Sequence, residues 1–292
     1  MTAVLTPPTA TRTRADGGVA LVLAGALSVQ FGSAVAALLF PQAGVGGVVT
    51  LRLTIAAVVL LAVCRPRLRG RGAADWALAG GFGVALAGMN TLFYHAIDRI
   101  PLGLAVTLEV LGPLGLSVVT ARKAASWAWA GIALAGVALL GRTGLGRLDL
   151  AGVAFALGAA AMWAAYILLS ARVGARFAKL DGLALAMAAA AVLTLPLGVT
   201  DGGAALLHPH VLALGTAVAV LSSLLPYTLE LTALRRMPTA TFAVLTSLGP
   251  ALAALAGWLV LHQRLGLTDA LAIALVIAAS VGAVRAGVRL RR

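Results

Sequence analysis

The chain has 292 residues, of which 61% are hydrophobic and only 11% charged, and its mean hydropathy is +1.03. A soluble domain carries about 25% charged residues, so this composition excludes a soluble protein and predicts an integral membrane protein. The formal net charge of +13 does not indicate nucleic-acid binding, because the basic residues lie in short gaps between long apolar runs, where they set membrane topology.

Ten apolar segments, taken in chain order, are long enough to cross a bilayer as helices. A crossing helix needs about 20 apolar residues, and the unbroken runs of Ala, Leu, Val and Gly favour helices over the alternating strands of a β-barrel. Segments 1 to 10 cover residues 18–40, 44–64, 75–97, 101–121, 124–141, 149–170, 182–200, 209–234, 238–261 and 266–286. The sequence therefore predicts an all-α membrane protein with ten transmembrane helices.

The distribution of Lys and Arg between the segments predicts their orientation. Seventeen basic residues lie in the N-terminal tail, after the even-numbered segments and at the C-terminal end, whereas four lie in the opposite gaps. Basic loops stay in the cytoplasm, so both termini are predicted to be cytoplasmic. The Ala-, Gly- and Arg-rich composition is typical of a GC-rich bacterial genome and favours a bacterial plasma membrane.

The chain contains an internal repeat. Residues 96–116 align without gaps on residues 233–253, at an offset of 137, and share seven identical residues, including two prolines and a Leu-Gly-Pro triplet. A unit of five crossings has an odd number of helices, so its copy must be inverted in the membrane, as in many transporters. The predicted organisation is two inverted five-helix repeats, which cover residues 18–141 and 149–286. Short tails precede and follow them at residues 1–17 and 287–292.

Four polar residues on four different segments of the first half reach a similar depth: Gln30, Arg52, Asn90 and Glu109. Glu109 lies about 12 Å below the outer end of segment 4, at 1.5 Å per residue. Ionisable groups at such depth usually face a cavity or a partner, so Glu109 is predicted to bind a substrate ammonium or to carry a coupling proton. Arg52 is a candidate anchor for a substrate carboxylate. Two structural alternatives remain, pairing of Arg52 with Glu109 and a hydrogen-bond network that only joins the helices.

Four further residues complete the predicted substrate site. Tyr94 lies near the end of segment 3, Trp163 and Tyr227 lie in segments 6 and 8, and Thr246 is the repeat counterpart of Glu109. A tryptophan in the middle of a crossing helix is informative, because Trp and Tyr usually mark the membrane interface.

Two prolines at equivalent repeat positions weaken helices near this site. Pro113 and Pro250 each lack the N–H that would bind the carbonyl one turn earlier, at residues 109 and 246. Interrupted helices at corresponding points of both halves are typical of transporter binding sites.

Several other kinds of site are not indicated by the sequence. The single cysteine, Cys64, excludes an internal disulfide or a thiolate cluster, and no residues have metal-ligand spacing. Residues 141–147 lack the Gly-Lys-Ser/Thr ending of a phosphate-binding loop. No cofactor or metal is therefore expected.

Two stretches carry a resemblance to a known family: residues 88–97, with Asn90 followed by Phe93-Tyr94, and residues 100–113, with Leu-Glu109 followed by Gly-Pro113. With Gln30-Phe-Gly and the stretch ending at Arg52, they resemble the EamA branch of the drug/metabolite transporter superfamily, of the threonine/homoserine exporter type. The resemblance implies a fold of two inverted five-helix repeats. It also implies a central cavity lined by segments 1, 3, 4, 6, 8 and 9, and export of amino acids or related metabolites.

The combined expectation is a proton-coupled secondary exporter of small hydrophilic amino acids, with no nucleic-acid partner. A zwitterion in a low-dielectric cavity needs a group for its ammonium and donors for its carboxylate. An exporter of apolar drugs, an intramembrane enzyme and a passive channel are the alternatives. The oligomeric state is left open between a monomer and a homodimer.

Overall fold

The computed structural model describes residues 10–121, 124–142, 149–178, 180–234 and 239–288, and these residues form helices joined by short turns, with no strand among them. The all-α class predicted from the apolar runs is confirmed. Long runs of Ala, Leu and Val become helices in lipid because a helix satisfies every backbone hydrogen bond within its own segment.

Twelve α-helices make up the described part of the chain. The helices before residue 200 are α1 (Ala10–Cys64), α2 (Ala73–Arg99), α3 (Leu102–Glu109), α4 (Leu111–Ala121), α5 (Ala124–Arg142), α6 (Leu150–Arg176) and α7 (Asp181–Gly202). A 3₁₀ turn (Gly203–Leu207) leads to α8 (Pro209–Ala219), a π-helical turn (Val220–Leu224), α9 (Leu225–Leu234), α10 (Thr239–Thr246), α11 (Gly249–Leu261) and α12 (Leu267–Val288).

Seven helical stretches of the described residues are long and apolar enough to cross a membrane, and residues 127–139 and 209–224 form shorter apolar helices. Predicted segments 1 and 2 fall on one kinked helix, α1. The two shorter apolar stretches lie within predicted segments 5 and 8. The chain is an integral membrane protein, while ten crossings remain a prediction.

The kink in α1 lies at Gly44, whose φ of 65° and ψ of 163° are outside the helical region. A side chain would be strained at this positive φ, and a Cβ there would also lie 2.6 Å from the Cβ of Asp201. The N–H of Gly46, just after the kink, donates to Oδ2 of Asp201 at 2.9 Å. The carboxylate of α7 therefore holds the turn between the two halves of α1.

Small residues bring the helices around the centre of the molecule close together. A Cβ at Gly112 would lie 1.9 Å from the carbonyl oxygen of Ala160, so α4 and α6 can cross there only with glycine at this position. Thr50, in the second half of α1, donates from Oγ1 to the carbonyl of Thr194 at 2.7 Å. Such close backbone approach is the usual basis of helix association in membranes.

Charged and polar pairs join the helix ends. At one end of the molecule Arg99 bonds Asp149 at 2.9 Å, and Oε1 of Gln263 accepts the N–H of Leu102 at 3.0 Å. At the other end Arg71 bonds Asp181 at 3.2 Å, and Arg176 pairs with Asp75. These contacts lie away from the central cavity described below.

Candidate functional site

A cavity of about 260 Å³ lies at the centre of the helices, lined by side chains from both halves of the chain. Six of the eight residues that the sequence predicts for the site line it: Gln30, Arg52, Asn90, Glu109, Trp163 and Thr246. They come from five helices, α1, α2, α3, α6 and α10. Polar side chains that the sequence places at a similar depth on separate segments therefore line the same cavity.

Glu109 lies where a helix is interrupted. It is the last residue of α3, Val110 separates it from α4, and Pro113 cannot supply the N–H that would bind its carbonyl. The side chain is partly buried, and among the described residues no hydrogen bond or ion pair holds its carboxylate. A carboxylate that faces a cavity without a fixed partner can receive a cation or a proton.

The second half has a matching interruption. Helix α10 ends at Thr246 and α11 begins at Gly249, so Thr246 occupies the place in its half that Glu109 occupies in the other. The hydroxyl of Thr246 donates a hydrogen bond to the carbonyl of Ala243, in the same helix, at 3.0 Å. The cavity thus has an acid on one interrupted helix and a neutral hydroxyl on the other.

Arg52 makes three hydrogen bonds next to the cavity. Its Nη1 donates to the Tyr94 hydroxyl at 3.0 Å, its Nη2 to the carbonyl of Ser222 at 3.1 Å, and its Nε to Oγ of Ser223 at 3.3 Å. A guanidinium has five N–H groups, so two of them have no hydrogen bond to the residues that the structure describes. Among the described residues no ion pair within 4.0 Å joins Arg52 to Glu109, so direct pairing of the two is absent from this structure.

Tyr94 is fully buried and does not line the cavity. Its hydroxyl accepts from Arg52, and the guanidinium carbon lies 5.4 Å from the centre of its ring. Tyr94 therefore contacts Arg52 and not the cavity itself.

The π-helical turn is a feature that sequence reasoning missed. Pro226 lacks the N–H that would reach the carbonyl of Ser222, and Arg52 donates to that carbonyl instead. Oγ of Ser28 donates to the neighbouring carbonyl of Leu221 at 2.6 Å. The signal in the sequence was the Ser-Ser pair at 222–223 inside a crossing segment, followed by a proline four residues after Ser222.

Two oxygens in this region have no partner among the described residues: Oε1 of Gln30 and Oγ of Ser222. Both residues line the cavity, and both are more than nine-tenths buried. Asn90 differs, because its Nδ2 already donates to the carbonyl of Leu86 at 2.8 Å within its own helix.

A second cavity of about 360 Å³ adjoins the first and is largely apolar. It lies between α4, α6, α10 and α12, and Val110, Trp163 and Thr246 line both cavities. Trp163 therefore lies between the central cavity, which contains Arg52 and Glu109, and a largely apolar neighbouring cavity.

Two of the sequence predictions, on Tyr227 and on metal binding, do not concern the residues that line the central cavity. Tyr227 lies in α9, but its side chain is outside the described part of the structure. Within the described ranges no group of three or more His, Cys, Asp or Glu could hold a metal ion.

Comparison with known proteins gives consistent results along the chain. A model of the EamA-like transporter family matches residues 150–285. The threonine/homoserine exporter RhtA of Escherichia coli strain K12 is 41% identical over 267 residues, which cover 90% of each chain. The protein of the same name from Salmonella typhimurium strain SL1344 is 41% identical over 258 residues, 87% of each chain.

A solved crystal structure has the same fold over almost the whole length. It aligns with 96% of this chain and 98% of its own, with a TM-score of 0.56 and 20% sequence identity. At this identity the likeness concerns the fold alone.

Proposed function

Because this chain belongs to the EamA-like transporter family, we propose that it exports threonine, homoserine and related small amino acids, driven by a proton gradient. Two relatives that are 41% identical over most of their length carry the name threonine/homoserine exporter. The single observation in the structure that supports this substrate class is the central cavity, which holds an acid, an arginine and neutral polar groups at one place.

The cavity suits a zwitterion. Glu109 is free to bind the ammonium or to carry the coupling proton, and the two N–H groups left on Arg52 are available to the carboxylate. Gln30, Asn90 and Thr246 supply hydrogen bonds, Trp163 and Tyr227 close the cavity from the second half, and Tyr94 holds Arg52 in place.

Export of apolar drugs is the rival within transport. It would call for a cavity lined by Ala, Leu and Trp with Glu109 as the one charge. The central cavity has apolar lining residues such as Val29 and Phe93, but it also contains a second charge, Arg52, and the buried polar residues Gln30 and Ser222. Burying such groups around an apolar ligand would leave them unpaired, at a cost in free energy.

The proposed architecture is ten crossings in two inverted five-helix repeats. At 1.5 Å per residue, the 48 residues from Gly17 to Cys64 in α1 would extend about 72 Å, more than twice the roughly 30 Å core of a bilayer. This length supports two crossings on either side of the kink at Gly44. The bounds of α3 (Leu102–Glu109) and α10 (Thr239–Thr246) differ by 137 at both ends, which is the offset of the sequence repeat.

The packing pattern also supports the repeat. Segment 2 contacts segment 7 through the hydrogen bond from Thr50 to Thr194, and segment 4 contacts 9 and segment 5 contacts 10. Each of these pairs maps onto itself when the halves are exchanged. Segment 1 contacts segment 8 through the hydrogen bond from Ser28 to Leu221, and this pair maps onto the contact of segment 3 with segment 6. Such exchange is expected of a pseudo-two-fold axis in the membrane plane.

We place both termini in the cytoplasm of a bacterial cell, with the end that carries Arg71 and Arg176 facing inward. The excess of basic residues in the gaps at that end supports this orientation. One chain lines the cavity from both halves, so a homodimer is not needed to complete the site.

The substrate class is tested by transport with the purified full-length protein in liposomes. Vesicles loaded with unlabelled threonine or homoserine should accumulate external labelled threonine by exchange, whereas vesicles without protein should not. Exchange of labelled tetraphenylphosphonium, an apolar cation, without any exchange of labelled threonine would favour the drug exporter instead.

A further inference from the structure

The two cavities described above share part of their lining. The central cavity has a volume of about 260 Å³ and contains Arg52 and Glu109, whereas its neighbour has about 360 Å³ and a largely apolar lining. Three residues line both cavities: Val110, Trp163 and Thr246. They come from the break after α3, from α6 and from the end of α10. These three residues therefore form the wall between the two cavities, and both halves of the chain contribute to it.

Trp163 is the largest side chain in this wall. It lies at the midpoint of α6 (Leu150–Arg176), far from the helix ends where tryptophan usually marks the membrane interface. The other two members, Val110 and Thr246, are small. Truncation of a packed aromatic ring leaves a space that its neighbours fill only in part. Replacement of Trp163 by alanine should therefore open the wall and join the two cavities.

A substrate amino acid bound in the central cavity would lie next to this wall. Glu109 lines the central cavity and directly precedes Val110, which lines both. If the ammonium binds at Glu109 and the carboxylate at Arg52, the side chain is the part of the molecule that is free to extend elsewhere. Apolar side-chain atoms gain free energy by leaving polar surroundings for an apolar space. The second cavity offers that space, with lining residues such as Leu114 and Ile167.

We propose that Trp163 limits the length of the transported side chain by closing the second cavity to it. This inference rests on the proposed export of small amino acids, and it names the residue that selects short side chains such as those of threonine and homoserine. Without the indole ring, the side chain of leucine would extend into the second cavity while its charged groups stay in the central one. A single methylene in an apolar pocket changes enzyme selectivity by about 10–200-fold, so the effect is measurable.

The test measures kcat/KM for exchange of labelled threonine and of labelled leucine by the full-length protein in liposomes. We expect the wild type to prefer threonine by about tenfold or more. Trp163→Ala should raise the ratio of leucine to threonine efficiency by about tenfold or more, and Trp163→Phe should raise it by a smaller factor because a ring still fills part of the wall. Continued exchange of threonine shows that each variant is folded.

A second variant fills the space that the first one opens. Ala283 lines the second cavity and is not among the residues that line the central one. Adding Ala283→Leu to Trp163→Ala should therefore abolish the gain for leucine. Ala283→Leu by itself should leave threonine exchange unchanged. Slower threonine exchange by this single variant, at normal protein levels, would place the second cavity on the path of threonine and overturn the inference.

A matched control comes from Trp258 in α11, which is 58% exposed and lines neither cavity. Trp258→Ala should leave the ratio of leucine to threonine efficiency unchanged. If Trp163→Ala is not inserted in the membrane, Trp163→Phe decides. An unchanged ratio in the Trp163 variants, or equal efficiencies for the two amino acids in the wild type, would overturn the inference alone. Failure of the wild type to exchange threonine would contradict the proposed function itself.

Discussion

Arg52 illustrates how one side chain can serve both the fold and a site. It holds a carbonyl that Pro226 leaves without its helical partner, and it brings positive charge to the edge of the cavity. Both tasks use the flat guanidinium, which offers donors in several directions from one rigid group. The choice between a structural and a functional arginine, which the sequence left open, is therefore not exclusive.

Arg52→Lys should reduce threonine transport by about tenfold or more, because one ammonium cannot reproduce the directed bonds to Tyr94 and Ser222 and still meet a carboxylate. Tyr94→Phe removes a single acceptor and should have a smaller effect, mainly on KM. Exchange of labelled threonine in liposomes measures both. Normal transport by the Lys variant, at normal protein levels, would remove Arg52 from the site.

At the scale of the helices, the interruptions are where this chain departs from regular structure. The breaks after Glu109 and Thr246 and the π-helical turn at 220–224 all border the central cavity. Irregular backbone at membrane depth is tolerated where it is buried in protein or lines a cavity. The local sequence explains it, since Pro113, Pro250 and Pro226 each remove one helical hydrogen bond.

Pro226→Ala tests whether this irregularity matters for transport. The alanine restores an N–H one turn after Ser222, and that N–H would compete with Arg52 for the same carbonyl. We expect equal or higher thermal stability together with slower threonine exchange. Unchanged exchange would mean that the π-helical turn is incidental to the site.

The ion pair between Arg99 and Asp149 predicts a pH dependence of stability. The hydrogen bond from Arg99 is the main cause that lowers the pKa of Asp149, and the backbone N–H of Ala151 adds to it. A carboxyl whose pKa is lower in the folded state stabilises the fold above its ordinary pKa and loses that contribution as the pH falls. The thermal midpoint of the wild type should therefore fall more on acidification below about pH 4 than that of Asp149→Asn. Equal falls in the two proteins would show that the pair contributes nothing.

At the scale of the whole molecule, composition and periodicity predicted the helices well, because lipid leaves an apolar run few alternatives to a helix. Depth along the segments also placed Gln30, Asn90 and Glu109 at one cavity. The rotation of each helix could not be predicted in this way, so Tyr94 was expected in the cavity and instead faces Arg52. Ser222 was missed because its position beside the cavity depends on a π-helical turn stabilised by side chains from distant parts of the sequence.

The orientation in the membrane can be tested by cysteine labelling. With Cys64 replaced by Ala, an impermeant thiol reagent added to intact cells should label Leu267→Cys, which is 79% exposed. It should not label Arg69→Cys, because the basic loop after α1 is expected inside. The opposite pattern would invert the topology.

The most direct test of proton-coupled export is the effect of Glu109→Gln on efflux of labelled threonine from vesicles with and without a pH gradient. The amide keeps the shape of the side chain but cannot take up or release a proton. A coupling role for Glu109 predicts that the wild type moves threonine uphill when the gradient is imposed. The variant should then remain correctly inserted but lose gradient-driven transport, falling to the level of vesicles without protein. Uphill export by Glu109→Gln at the wild-type rate would contradict that role.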